Sequence, residues 1–590
     1  YGSIPSPTIP CQAGCTNQYE IRFIIIPITR LLFRCPPGTN DNMKKAALVF
    51  CLAATILMSC SDNTKPGIQL AQFQVPVLIG KSDNPVLQIK ICPDNKGEIK
   101  IRNVIVSLNG TTDLNDLSAL RLFITENNKG FSTQRQIGPD MAPAAEVNFS
   151  EPFLINDTTD LWISAELKDK AGLLNKVTFS CRSVSTSHGR LEPDTSWNPL
   201  QHRIGIALRK HLDDSVHTFR IPGLTTTPEG TLLAIYDVRR ESSRDLQGDI
   251  DIGLSRSTDG GSTWEAMKIV MDMKEWGALP EKFNGVSDAC ILSDENSGDI
   301  YIAGLWMHGV LDKNGRWIEG LSDTSKAWEH QWKNKGSQPG TGVKQSSQFL
   351  IVKSTDDGLT WSEPLNITSS GKKKEWWLWA PAPGHGITLA DGTLILPSQG
   401  RDESGRPFST ITWSGDSGET WKTGNPAYKN TTECMAVQLS DGSVMLNMRH
   451  NGNRNNMGPD NGRAVAVTKD HGATWNEHPS SRKALIEPTC MGSLHKHFYT
   501  ENGIKKSILL FSNPDSRNSR TRMTIKVSFD EGMTWPSENW LLLDELRSNG
   551  YSCLTSVDEN TIGILYEGSQ SMLTFEKIPL SDLIGKLAPL

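Results

Sequence analysis

An eight-residue pattern, Ser/Thr-x-Asp-x-Gly-x-Thr-Trp, occurs five times in this chain: at 257–264, 354–361, 414–421, 468–475 and 528–535. The starts are 97, 60, 54 and 60 residues apart. Five chance matches to a five-position pattern are not credible, so the repeat sets the architecture. Each copy reads as a hairpin turn. The Asp carboxylate and the Ser or Thr hydroxyl can accept backbone N–H groups inside the turn. The Gly supplies a left-handed backbone conformation, and the Trp returns to pack between neighbouring sheets. Strand-like segments precede the turns, as at 251–255, 348–354 and 524–528. One hairpin signal per 55–60 residues implies one four-stranded blade per repeat. The region 197–590 then holds about six blades. The expected fold is all-β, a six-bladed β-propeller. The long first gap leaves room for an insertion between Trp276 and Gln345.

Residues 68–190 show short alternating strands at 75–79, 87–92, 99–108, 120–125, 160–167 and 174–181. Asn109-Gly110 and 128–130 supply turns. This predicts an antiparallel β-sandwich ahead of the propeller, carbohydrate-binding-like or a spacer. Trp162 is a candidate sugar platform, with a core role the competing reading. Further upstream, residues 43–60 read MKKAALVFCLAATILMSC, a basic start and an apolar run of signal-peptide length. Leu57-Met58-Ser59-Cys60 resembles a bacterial lipobox. The resemblance implies cleavage before Cys60, acylation of its sulfur, and an exported lipoprotein of the outer membrane, cell surface or periplasm. Residues 1–42 read as an over-extended start without a fold, and 61–67 as a linker.

The net charge is −6, and no Lys/Arg stripe marks a nucleic-acid surface. An anionic substrate must therefore be attracted by a few placed arginines. Cys11, Cys15, Cys35 and Cys51 fall in the upstream stretch. Cys92, Cys181, Cys290, Cys434, Cys490 and Cys553 are dispersed, with no CxxC pair. That pattern predicts buried free thiols rather than zinc ligands. No metal and no cofactor is expected.

The repeat resembles the Asp box of sialidases, and Phe219-Arg220-Ile221-Pro222 resembles the FRIP motif that opens their catalytic domain. The likeness covers 197–590 and implies an exo-α-sialidase. Such an enzyme removes terminal α-linked sialic acid from glycoproteins, glycolipids and oligosaccharides. Sialic acid carries a carboxylate on its anomeric carbon, and forked guanidinium groups suit a fixed anion. The resemblance makes Arg220, Arg449 and Arg520 the carboxylate-binding triad, with Arg522 and then Arg517 as alternatives to Arg520. It pairs Tyr551 as nucleophile with Glu433 as its base. Tyrosine is the sialidase exception among retaining glycosidases, because a carboxylate nucleophile would be repelled by the substrate's own. Glu567, after Tyr566, matches a glutamate that braces the first arginine. Asp245 matches the general acid, with Asp237 and Asp249 as alternatives. Arg239 matches a residue holding a sugar hydroxyl, and Asp288 one beside the N-acetyl group. The run Trp376-Trp377-Leu378-Trp379 offers either sugar stacking or core packing.

Two other readings stay open. A trans-sialidase or intramolecular sialidase on the same fold would need an aromatic acceptor clamp, for which Trp306, Trp317, Trp328 and Trp332 are available. A non-catalytic sialic-acid lectin would keep the arginines and lack Tyr551, Glu433 or Asp245.

Overall fold

The computed structural model describes residues 66–585 except 94–96, 128, 247, 309, 313, 315 and 327–335. The expected signal segment, Cys60 and the 1–42 stretch lie outside these residues. Two sheets face each other in the front region. One has the strand order Gly67–Ala71, Asn84–Cys92, Thr159–Leu167, Leu117–Glu126. The other orders Gly189–Leu191, Ser180–Thr186, Ile99–Ser107 and Glu146–Phe149, with Phe153–Ile155 also on Ile99–Ser107. Alternating residues such as Ile89, Ile91, Ile101, Leu122 and Ile163 fill the layer between them. Trp162 is buried on the opposite face of its strand from Leu161 and Ile163, edge-on to Phe131, and donates its indole N–H to Thr125 Oγ1 at 3.0 Å.

Six further sheets follow. The first blade runs Thr218–Thr226, Leu232–Arg239, Ile250–Ser257, Lys268–Met271. The innermost strands of blades two, four, five and six are Val286–Ser293, Thr431–Gln438, Ser493–Glu501 and Ser552–Asp558. In the third blade Leu378–Pro381 pairs with Leu394–Arg401. Inner strands pack against inner strands from blade to blade, and Ser552–Asp558 returns against Thr218–Thr226. The ring is thus closed, the arrangement of a six-bladed propeller.

The sixth blade explains why there are five turn motifs. Each motif joins the third strand of its blade to the fourth. In the sixth blade the fourth strand is Gln201–Arg209, from the start of the region, paired antiparallel with Leu573–Pro579. No hairpin joins them, so no motif is needed. Val77–Ile79 pairs in parallel with Ile204–Ile206, and Lys176–Thr178 pairs with Gln201–Arg203. The segment 75–79, expected in the sandwich, therefore covers the outer edge of Gln201–Arg209 instead. The expected insertion is also narrower than 276–345. Val286–Ser293 and Ile300–Trp306 are blade strands, and the extra chain runs from 307 to 347.

The turns have the expected chemistry. In the second, Thr360 N and Oγ1 donate to the Asp356 carboxylate at 2.8 and 2.5 Å, and Gly358 N donates to Ser354 Oγ at 3.0 Å. Asp357 and Gly358 are both left-handed, with φ of 56° and 80°. Contacts to the preceding blade recur at the motifs. Asp357 accepts from Thr227, Thr231 and Arg256, Glu531 accepts from Ser440, and Trp264 packs edge-on against Phe575. Five cysteines are free and buried as expected, whereas Cys92 is disulfide-bonded and departs from the expectation.

The turn carboxylates make an acid-stability prediction. Hydrogen bonds from the turn hold Asp356 and Asp470 down at about 2, below their unfolded range. A depressed carboxyl contributes stability that is complete above its unfolded pKa and lost as pH falls through the folded one. Melting temperature should therefore drop between pH 4 and pH 2. The Asp356→Asn/Asp470→Asn double variant should lose part of that drop in a calorimetric pH series. An identical pH profile would show that these turns do not stabilise the ring.

Candidate active site

The inner strands of blades one, two and four carry register shifts at their starts, between Arg220 and Gly223, Ser287 and Cys290, and Thr431 and Cys434. Such bulges re-aim side chains. They lie where Arg220, Asp288 and Glu433 enter, so one face of the ring collects all three. Ile221 adopts φ 60° and Asp288 φ 55°. A β-branched residue in this region is strained. At Ile221 the strain turns its N–H onto Glu567 Oε1 at 3.1 Å.

Glu567 is the buried hub. Its carboxylate accepts from Arg220 Nε at 2.8 Å, Arg220 Nη2 at 3.2 Å, Ile221 N, and Tyr551 N at 3.0 Å. Burial opposes its charge, but Arg220 and these donors outweigh it and hold its pKa below the usual glutamate value. Burial likewise opposes charge on Arg220, and Glu567 keeps the guanidinium firmly protonated.

Tyr551 sits under three arginines. The guanidinium carbons of Arg220 and Arg520 lie 5.2 and 5.4 Å from its ring centre. Arg449 Nη1 donates to the phenolic oxygen at 3.0 Å and to Glu433 Oε2 at 2.5 Å. The phenol itself donates to Glu433 Oε1 through a short hydrogen bond. Burial, then Glu433, raise the Tyr551 pKa well above its ordinary value, against Arg449 and Arg520. The resting tyrosine is a neutral phenol hydrogen-bonded to a carboxylate. Arg520 is fixed by the carbonyls of Asn549 at 2.8 Å and Thr489 at 3.5 Å. Arg522 is exposed at φ 63°, and it is Arg520 whose guanidinium lies over the Tyr551 ring. Tyr566 is buried elsewhere, donating to Glu576 at 2.7 Å.

Arg239 is fully buried. Asp237 Oδ2 accepts from its Nε and Nη2, Asp245 Oδ1 from its Nη2 at 2.6 Å, and the Ser243 carbonyl from its Nη1. Asp237 also accepts from Ser287 Oγ at 2.5 Å, and burial raises its pKa to about 6 against Arg239. Asp245 differs: its side chain is 49% exposed. Asp249 faces Arg240 at 3.4 Å instead. Asp288 accepts from Gln399 Nε2 at 3.2 Å. Burial and then the charges of Asp245, Glu433 and Asp237 push its pKa well up. These electrostatic couplings bring the Arg239 group and the Tyr551 group into one site. Gln399 has no signal in the sequence, and Ser287 only its place beside Asp288. Trp376 and Trp379 are buried in the core between blades.

Residues 230–564 match the BNR repeat-like domain, and 65–148 match the N-terminal domain of BNR-repeat neuraminidase. A sialidase of Bacteroides fragilis is 36% identical over 92% of this chain and 100% of its own length. A sialidase of Micromonospora viridifaciens is 32% identical over 63% of this chain and 53% of its own. Among solved structures, the Hadza microbial sialidase Hz136 aligns with TM-score 0.77 at 35% identity, covering 87% of this chain and 99% of that one.

The hub sets a test. Glu567→Gln keeps the shape but leaves Arg220 without its buried counter-charge, a loss of about 3–5 kcal/mol where a buried pair is broken. Urea denaturation should register a loss of that order, together with weaker binding of a carboxylate inhibitor. A loss below about 1 kcal/mol would assign the cluster's stability elsewhere.

Proposed function

Because the chain belongs to the sialidase family of glycoside hydrolases, we propose that it is an exo-α-sialidase that retains anomeric configuration, with Tyr551 as nucleophile. The observation that carries this reading is the short hydrogen bond from Tyr551 to Glu433 beneath Arg220, Arg449 and Arg520. The three guanidinium groups receive the substrate carboxylate. Tyr551 Oη attacks the anomeric carbon as its proton passes to Glu433 Oε1, and Asp245 protonates the departing glycosidic oxygen. Water then attacks the glycosyl–tyrosine bond from the vacated side, giving a proton to Asp245. The phenol recovers its own from Glu433. Two inversions restore the starting configuration.

Asp245 suits the acid better than its neighbours. Asp237 is sealed between Arg239 and Ser287, and Asp249 is turned to Arg240. Arg239 keeps two hydrogen bonds to Asp237, so its contact with Asp245 can yield to a sugar hydroxyl. Of the four indoles available in sequence for an acceptor clamp, Trp306 is buried edge-on against Trp276, and Trp328 and Trp332 lie outside the described residues. Membrane attachment through an acylated Cys60 belongs to the same proposal. Cys60→Ala should release the protein from membranes at unchanged specific activity, and continued sedimentation with membranes would overturn it.

Two variants on two substrates test the chemistry. Tyr551→Phe should lose at least about 100-fold in kcat/KM on both sialyllactose and an aryl sialoside while still binding a sialic-acid analogue. Asp245→Asn should lose about 100-fold or more on sialyllactose, whose leaving group needs a proton, and far less on the aryl sialoside. Both comparisons use kcat/KM because the second step also employs Asp245. Near-normal turnover by Tyr551→Phe removes it as nucleophile. Equal losses on both substrates for Asp245→Asn return the acid role to Asp237 or Asp249.

A further inference from the structure

A cavity of about 660 Å³ opens on the face that carries the arginines. It lies where the front domain's Lys81 meets the chain connections 210–217, 545–550 and 567–572 around the sixth blade. Its wall continues from the arginine site. Asn549, which lines it, accepts from Arg520 through its carbonyl, and Gly568 follows Glu567 directly. Met572 Sδ accepts the Phe219 N–H, one residue before Arg220.

The lining has one sign of charge. Lys81, Lys210 and Arg547 face it with His211, and no acidic residue does, in a chain whose net charge is −6. The rest is serine, asparagine, glutamine and glycine with a single methionine, which offers hydrogen-bond partners beside the cations. Carboxylates nearby are already engaged. Asp83 is held by Arg121 and Ser164, and Asp544 by the N–H groups of Leu546 and Ser569. Lys210 has only Asp213 as an ion-pair partner among the described residues, at 3.6 Å. Arg547 is exposed and has no hydrogen bond or ion pair among the described residues. Lys81 donates to Gln570 at 2.9 Å, and burial lowers its pKa against the pull of Asp83 and Asp544. An incoming anion would relieve that burial cost.

From this juxtaposition we infer that the cavity is a subsite for an anionic group, carboxylate or sulfate, on an inner sugar of an acidic glycan whose terminal sialic acid occupies the arginine site. The inference rests on the sialidase reading of that site and adds a substrate class: glycans carrying a second negative charge. The cations attract the second charge, and the serine, asparagine and glutamine groups meet the hydroxyls of its ring. The front domain, through Lys81, then takes part in substrate choice.

The test is the Lys210→Gln/Arg547→Gln double variant, whose positions lie outside the groups assigned to bond cleavage. Four substrates are compared by kcat/KM: an aryl sialoside, sialyllactose, an α2-8-linked disialyllactose, and a sialyllactose sulfated on an inner sugar. Two partly exposed charge contacts should cost about three- to tenfold on an acidic substrate. The aryl sialoside and plain sialyllactose should stay within about twofold of the parent. Loss confined to the disialyl substrate identifies a carboxylate as the ligand, and loss confined to the sulfated one identifies a sulfate. Added salt should erode the parent's preference for the acidic substrate and not the variant's. Unchanged rates on both acidic substrates, or equal losses on all four, overturn the subsite. Failure of the sialidase chemistry is read separately, from Tyr551→Phe on the aryl sialoside.

Discussion

One buried carboxylate, Glu567, holds the arginine-bearing face together. It binds Arg220 from the first blade and the N–H groups of Ile221 and Tyr551, which border the first and last blades. Three arginines around one phenol would repel one another in a site with little water. Glu567 answers Arg220 and Glu433 answers Arg449, at 2.8 and 2.5 Å. Arg520 is met by carbonyl dipoles from Asn549 and Thr489 instead of a carboxylate. One of the three guanidinium charges is thus left without a carboxylate partner.

That arrangement requires the ring to be closed. Arg220 and Glu567 are 347 residues apart, and only the return of the last blade onto the first brings them together. Pairing of Gln201–Arg209 with Leu573–Pro579 supplies the closure. The front domain reinforces it by laying Val77–Ile79 along the same strand. A domain that reads in sequence as an independent sandwich is therefore built into the edge of the catalytic one.

The turn motif is the most legible part of the chain because its chemistry is local. Ser, Asp, Gly and Thr bond one another within a few residues, so the pattern survives in sequence intact. Blade number follows from spacing, although the sixth blade has no motif to count. Its outer strand is distant in sequence, a fact no local signal carries. The insertion reads too broadly in sequence for a related reason: nothing in 286–306 marks those residues as blade strands beyond short apolar runs. At the site, motif likeness singles out Arg220, Tyr551, Glu433 and Glu567, which the fold brings together. Choosing Arg520 over Arg522 needs coordinates, since two arginines two residues apart are equally polar and only backbone direction separates them. Gln399 is invisible, because a glutamine in a strand has no pattern to betray a contact with Asp288.

The two faces of the ring divide the work. The turn motifs all follow third strands and so lie on the face opposite the arginines, where they bind blade to blade. On the arginine face, connections are free to vary in length, and the 307–347 insertion and the 567–572 loop both emerge there. Short repeated turns lie on one face and long irregular loops on the other, so a change in loop length need not disturb the closure of the ring. The cationic cavity beside the arginines follows this rule. Its charged groups come from loops and from the front domain, whereas the groups around Tyr551 come from strand ends and bulges that the ring itself fixes.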